Sequence, residues 1–278
     1  MIAIVLALIG AISYGVADFA GGVAARRSHV LCVVTISAPA SLAIACALAP
    51  FLGADFNHGA LVWGALSGVA SAAAFSLLYV TLAIGPMTVL SPVTAVVSAV
   101  LPVAVGVLSG EVLSPRSWLG MGLAAAAVVL VARGGEEDHT RPSLRGLVLA
   151  FGSGVAIAVQ LIALNRAPHG SGLAPLITGR AVASAILLTA ALLSWRKLRG
   201  KPLAVAPALA AGVLDELANM FFLLGSRSGL LSVTTVIIAL YPAATVLLAW
   251  LVLRERVARI QQAGLALAAG SVCLLALG

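Results

Sequence analysis

GPMTVLSPVTAVVSAVLPVAVGVLSGEVLSPRSWLGMGLAAAAVVL (residues 85–130) and GLLSVTTVIIALYPAATVLLAWLVLRERVARIQQAGLALAAGSVCL (residues 229–274) lie over one another at an offset of 144 positions, without a gap. The overlay matches Gly85/Gly229, Val89/Val233, Ala95/Ala239, Glu111/Glu255, Gly120/Gly264, Leu123/Leu267, Ala124/Ala268, Ala125/Ala269, Val128/Val272 and Leu130/Leu274. Matches of Ala and Leu are cheap in a chain that is 62% hydrophobic. The Gly–Glu–Gly frame is not, because only 9 of the 278 residues are acidic. The chain is therefore read as a duplication.

What is duplicated follows from composition. A water-soluble fold of this length needs about 25% charged residues to cover itself, and this chain has 9%, with a mean hydropathy of +1.16. Its solvent is lipid. A bilayer core of about 30 Å, crossed at 1.5 Å per residue, takes about 20 apolar residues. Ten predicted spans satisfy that: 2–25, 30–52, 60–84, 87–108, 117–133, 145–165, 172–195, 203–225, 230–252 and 258–277. The most charged connection, RGGEEDHTRPSLR (residues 133–145), falls between the fifth and sixth. The halves are accordingly 1–134 and 145–278, with a polar loop at 135–144. Five spans is an odd number, so the second half must enter the membrane from the opposite side. The expected fold class is an all-α integral membrane protein, with ten transmembrane helices as two inverted five-helix repeats.

The net charge of +7 would suggest nucleic acid in a soluble protein. Here nearly all basic residues sit in short connections, where they anchor helices at headgroups, so the expected partners are a lipid bilayer and a small-molecule substrate, with no nucleic acid. Trp63, Trp118, Trp195 and Trp250 fall near helix ends, as interfacial residues do. Cys32, Cys46 and Cys273 lie inside apolar runs without metal or redox spacing. His29, His58, His139 and His169 are all in connections. No metal site, cofactor, catalytic constellation or nucleotide-binding loop is expected, and no cleavable signal peptide, because Arg26 and Arg27 follow the first apolar run.

With these residues in view, the chain resembles the EamA-type branch of the drug/metabolite transporter superfamily. The most specific stretch is YPAATVLLAWLVLRERVARIQQAGLALAAGSVCLLALG, residues 241–278, with a Pro-containing helix, helix-end Glu255, then Gln262 and Gly264. Glu111 and Gly120 form a weaker first copy. Arg180 stands where family members often carry an arginine, and Ser37 occupies the matching place in the first half. The resemblance implies that spans 1–4 and 6–9 line a central cavity while spans 5 and 10 stand outside it. It also implies export of a small metabolite or drug across the cell (inner) membrane. It further implies cytoplasmic termini, and the charges disagree. Connections after odd-numbered spans hold twelve basic residues (Arg26, Arg27, Arg133, Arg141, Arg145, Arg196, Lys197, Arg199, Lys201, Arg254, Arg256, Arg259), and those after even-numbered spans hold Arg116, Arg166 and Arg227. The positive-inside rule places both termini outside.

An ionisable residue at mid-membrane costs about 2.5–3.5 kcal/mol on insertion scales, so it needs a partner, water or a purpose. Asp18, Arg180, Asp215 and Glu216 qualify. Arg180 in the seventh span and the two acids in the eighth lie at similar depth, so an ion pair is predicted. Adjacent residues point about 100° apart on a helix, so one acid is expected to pair and the other to face the cavity, a proton or Asn219. The bland reading is that all three hold two helices together. Asp18 is predicted about 11 Å away in depth, with Tyr14 one turn behind it; its bland reading is an interfacial bridge to Arg26 or Arg27. Gln160 is the repeat counterpart of Asp18, or simply an interhelical hydrogen bond. Glu111 and Glu255 read as interfacial and structural. Pro39, Pro92, Pro102, Pro175, Pro207 and Pro242 fall in predicted spans and can kink them. Gly64-x-x-x-Gly68 permits close packing.

The expected function is a secondary transporter that exports a small metabolite, an amino acid or related amphipathic compound, by alternating access. Tyr14, Tyr79, Gln160, Arg180, Asn219 and Tyr241 are the expected cavity residues, and Asp18, Asp215 and Glu216 the candidate proton carriers. Arg180 would take a carboxylate and Asp215 or Glu216 an ammonium, which together suit a zwitterion. The rival readings are a multidrug facilitator or exchanger, an intramembrane enzyme built on the acids, and a membrane scaffold.

Overall fold

A computed structural model describes residues 1–84, 87–133, 143–200, 202–253 and 258–277. Gly85, Arg141, Lys201, Arg254, Glu255, Arg256 and most of the central polar loop lie outside these, as do the side chains of Val89, Pro92, Arg133, Lys197 and Trp250. The described chain is helical, in the order α1 (Ile2–Arg27), α2 (Val30–Leu52), α3 (His58–Ile84), α4 (Met87–Leu108), α5 (Pro115–Arg133), α6 (Leu144–Arg166), a 3₁₀ turn (His169–Ser171), α7 (Ala174–Leu193), the single turn α8 (Trp195–Leu198), α9 (Val205–Ser228), α10 (Leu231–Ile238), α11 (Tyr241–Leu253) and α12 (Arg259–Leu277). Six of these, α1, α2, α3, α6, α7 and α9, are long and apolar enough to cross a membrane. Shorter apolar helical stretches, Val93–Leu108, Pro115–Leu130, Leu231–Thr245 and Arg259–Leu275, fall within the remaining predicted spans. The outward surface carries Ile2, Val5, Ile9 and Ile12 of α1, Leu61, Val62, Leu66 and Val69 of α3, and Val148 and Phe151 of α6. Such a surface is stable only against lipid, and the chain is a multi-pass membrane protein.

Local signals set the helix starts. The Nδ1 of His29 accepts from Leu31 N at 3.2 Å before α2, and Ser143 Oγ accepts from Gly146 N at 3.1 Å before α6. Asn57 Oδ1 accepts from Ala60 N at 2.9 Å at the start of α3. The prolines correct one expectation. Pro39 does lie inside α2, but Pro175 and Pro207 stand in the first turns of α7 and α9, where no backbone donor is required and a fixed φ favours the helix. They start helices and do not kink them. Pro242 has the opposite consequence: the ninth span, predicted as one helix over 230–252, is broken at Ala239–Leu240 into α10 and α11. Proline cannot donate to the turn before it and disfavours helical backbone in the preceding residue.

The halves interlock. α1 packs along α9, α3 along α6 and α7, α2 along α7 and α9, and α4 along α6; α5 and α12 lie against each other. Small residues allow the closest approaches. A Cβ on Gly68 would fall on the backbone of Gly179, and one on Gly64 would lie 2.7 Å from the carbonyl oxygen of Pro175. The Gly64-x-x-x-Gly68 run is thus the α3–α7 contact. In α9, a Cβ on Gly212 would fall on the carbonyl of Ser37 in α2.

The two ends of the bundle differ. At one end, Leu173 N donates to Gly53 O at 2.8 Å, Arg166 Nη2 to Ser109 Oγ at 2.8 Å, and Arg227 to the carbonyls of Gly172 and Pro168 at 2.9 and 3.1 Å. The carboxylate of Glu111 accepts from Leu231 N at 2.6 Å and Ser232 N at 3.1 Å, capping α10 from the other half of the chain. Both termini are here: a Cβ on Gly229 would lie 2.8 Å from Ala3, and Arg116 reaches Leu277 O at 3.3 Å. At the opposite end Ser28 Oγ donates to Pro202 O at 2.6 Å, joining the turn after Arg26 and Arg27 to the connection before α9.

Candidate functional site

The buried charges meet where α7 and α9 face α3. Arg180 and Glu216 are 2% and 1% exposed, so neither charge is hydrated from outside the protein. The expectation that Arg180 holds one acid is corrected. Its Nε donates to Glu216 Oε2 at 2.5 Å and its Nη2 to Asp215 Oδ2 at 2.6 Å. The Cα–Cβ vectors of adjacent helical residues do diverge, yet a guanidinium presents donors along an edge and spans both carboxylates from between them. Nη1 donates to Ser71 Oγ of α3 at 2.8 Å, and the guanidinium carbon lies 5.4 Å from the centroid of Phe75. Ser71 and Phe75, one turn apart on α3, escape a sequence reading because Ser and Phe in an apolar helix are ordinary.

Asn219, fully buried one turn after Asp215, extends the network. Its Nδ2 donates to Asp215 O at 2.8 Å and Asp215 Oδ2 at 3.1 Å, and its Oδ1 accepts from Gln160 Nε2 of α6 at 2.7 Å. Asp215 Oδ2 therefore receives two donors. Glu216 Oε1 is buried with no hydrogen-bond partner among the described residues.

Beside this network is a partly open cavity with about 540 Å³ of space between atoms, which includes space open to its surroundings. Tyr14 and Asp18 of α1, Ser71 and Phe75 of α3, Ser98 of α4, Gln160 of α6, Asp215 of α9, and Thr235, Ile238, Ala239 and Tyr241 around the α10–α11 break all line it. The break in the helix thus coincides with the cavity wall, the place where non-helical backbone at membrane depth is tolerated. A smaller space of about 160 Å³ lies on the other side of Ser71 and Gln160, against Arg180 and Gly179.

Asp18 and Asp215 face one cavity although their predicted depths differ. Asp18 is 7% exposed, and among the described residues it has neither an ion pair nor a hydrogen bond; Arg26 and Arg27 point outward and do not reach it. The hydroxyl of Tyr14 is buried and likewise without a partner among those residues. Tyr14 and Tyr241 stand with ring centroids 6.3 Å apart, and Tyr241 Oη donates to Ser91 O at 3.4 Å. Tyr79 is not among the residues lining the cavity: it is 1% exposed and packs against Gly21 and Phe75. Asn219 and Glu216 are one layer behind the lining, and Arg180 lines the smaller space.

Comparison with known proteins agrees with this picture at the level of fold and family. No curated protein matches the chain. A solved structure described only as "Crystal structure of protein" superposes with a TM-score of 0.72 at 16% identity, over 97% of this chain and 98% of the other, a likeness of fold alone. Residues 144–277 match the model of the EamA-like transporter family. Residues 144–277 thus belong to the EamA-like transporter family, within the drug/metabolite transporter superfamily.

Proposed function

We propose that this membrane transporter of small solutes works as a secondary transporter, moving a small amphipathic metabolite outward across the cell membrane by alternating access. The carrying observation is a cavity bounded by α1, α3 and α4 of the first half and by α6, α9, α10 and α11 of the second. Rocking one half against the other would expose such a site to each side in turn. Two further features support inverted repeats. Exchanging each helix for its counterpart turns the α1–α9 contact into α6–α3, α2–α9 into α7–α3, and α1–α10 into α6–α4, and all of these contacts occur. Gly68 and Gly212, 144 positions apart, each seat their helix on the backbone of the second helix of the other half. Members of the family are transporters and not enzymes.

The network changes which residues face the solute. Three donors of Arg180 are engaged within the protein, so it holds α3, α7 and α9 together and does not offer itself to a substrate carboxylate. Asp215 and Glu216 share one guanidinium, whereas Asp18 lines the cavity with no cation beside it among the described residues, which makes Asp18 the first choice of the three for a coupling proton. Counterflow of radiolabelled amino acids and amphipathic metabolites in proteoliposomes, with and without an imposed pH gradient, tests the reading. Exchange without covalent change is expected, with accumulation driven by the gradient. Chemical conversion of a solute would make the chain an enzyme, and exchange indifferent to the gradient would make it a facilitator.

A further inference from the structure

The solute that this cavity selects is set by the charge left facing it. Of the described lining residues, two are ionisable carboxylates and none is a cation. Asp215 accepts hydrogen bonds from Asn219 and from Arg180, which it shares with Glu216. Asp18 differs: it is buried to 93%, it lines the cavity, and no described residue donates to it. A buried carboxylate without a partner is costly as an anion unless a proton or another cation joins it, so a proton and a cationic solute would compete for Asp18. One turn earlier on α1, Tyr14 lines the same cavity with its hydroxyl unpartnered among the described residues, and Tyr241 lines it too, its ring centroid 6.3 Å from that of Tyr14. The third ring, Phe75, is already covered by the Arg180 guanidinium.

We infer that the cavity is an organic-cation site: Asp18 is the counter-ion for an ammonium head, Tyr14 and Tyr241 flank that head, and the apolar wall takes the solute's hydrocarbon. This rests on the transporter reading and narrows it from an amphipathic solute to a positively charged one. It also removes the zwitterion, because a carboxylate entering beside Asp18 would find no cation among the described lining residues.

The probe is radiolabelled benzyltrimethylammonium, whose charge cannot be titrated away. Equilibrium binding to the purified full chain in detergent, and counterflow in proteoliposomes, are each measured with phenylalanine (zwitterionic) and 2-phenylethanol (neutral) as competitors. Saturable binding that neither competitor displaces at equal concentration is expected. Asp18→Asn should weaken it by about tenfold or more, and Asp18→Glu should recover part of the loss. The competitor series needs no variant, so the inference stays exposed even where Asp18→Asn fails to fold. Displacement by phenylalanine, or undiminished binding in a folded Asp18→Asn protein, would overturn it. Counterflow of phenylalanine without binding of the cation sinks the cation site and leaves the transporter. Binding of the cation without counterflow of any solute keeps the site and sinks the transporter.

Discussion

One guanidinium is shared by two buried carboxylates in the α3–α7–α9 network, so removal of Arg180 would strand both. Taking away one partner of a buried pair costs about 3–5 kcal/mol, mainly the penalty of the charge left behind. Arg180→Ala should therefore lower the thermal unfolding midpoint of the purified protein sharply or abolish folded protein. Adding Asp215→Asn and Glu216→Gln should recover part of that loss, because the stranded charges are gone. A combined variant as unstable as the sum of its parts would show that the three side chains do not compensate one another. This network was half legible in the sequence. Matching depths on neighbouring spans bring Arg180 to the acids, since helical rise is fixed. The double pairing, the Ser71 contact and the placement of Asn219 behind Asp215 depend on rotamers and on a third helix. Tyr79 illustrates the converse: an aromatic in an apolar helix carries no mark of whether it faces a cavity or a glycine, and here it faces Gly21.

Helix contacts and ends carry two further expectations. Gly68 lets α3 sit on the backbone of α7, and a side chain there would collide with Gly179. Gly68→Val should cost about 1–3 kcal/mol or more from overpacking, read as a drop in unfolding midpoint, while Gly122→Val on α5, where a Cβ would meet nothing within 4 Å, should not. Equal effects would mean that valine disturbs these helices for reasons unrelated to contact. Glu111 caps α10 through two backbone N–H groups, which have no intrahelical partners at a helix start. Glu111→Ala should destabilise by about 1–3 kcal/mol, and Glu111→Gln, which keeps one acceptor, by less. A neutral Glu111→Ala would remove the cap from the account of how α10 is held. Repeat symmetry marked Glu111 in the sequence, and a helix-end position suggested a structural role. Its partner 120 residues away was hidden, because a cap supplied by another helix leaves no local pattern. The break in the ninth span was hidden for a related reason: Pro242 could have bent one helix or started another, and packing around the cavity determines which.

The bundle has a polar asymmetry from which an orientation is predicted. One end holds both termini, the inter-half hydrogen bonds of Gly53, Ser109 and Glu111, and few basic residues. The opposite end joins the turn after Arg26 and Arg27 to the connection bearing Arg196 and Arg199, through the Ser28–Pro202 bond. Basic residues resist translocation, so the end that carries them stays on the side of synthesis. The fold does not alter that argument, because it joins the Arg26–Arg27 turn to the connection after α7 at one end and places Ala3 and Leu277 at the other. A C-terminal alkaline phosphatase fusion should therefore be active and a C-terminal green fluorescent protein dark, with the reverse for fusions after Arg27. The orientation also has a mechanistic consequence. The end tied by Glu111 and Arg227 would then face outward, and the proposed export cycle would require those inter-half bonds to break. Fusions reporting cytoplasmic termini would invert that assignment and make the tied end the cytoplasmic gate, with the basic end translocated against its charge.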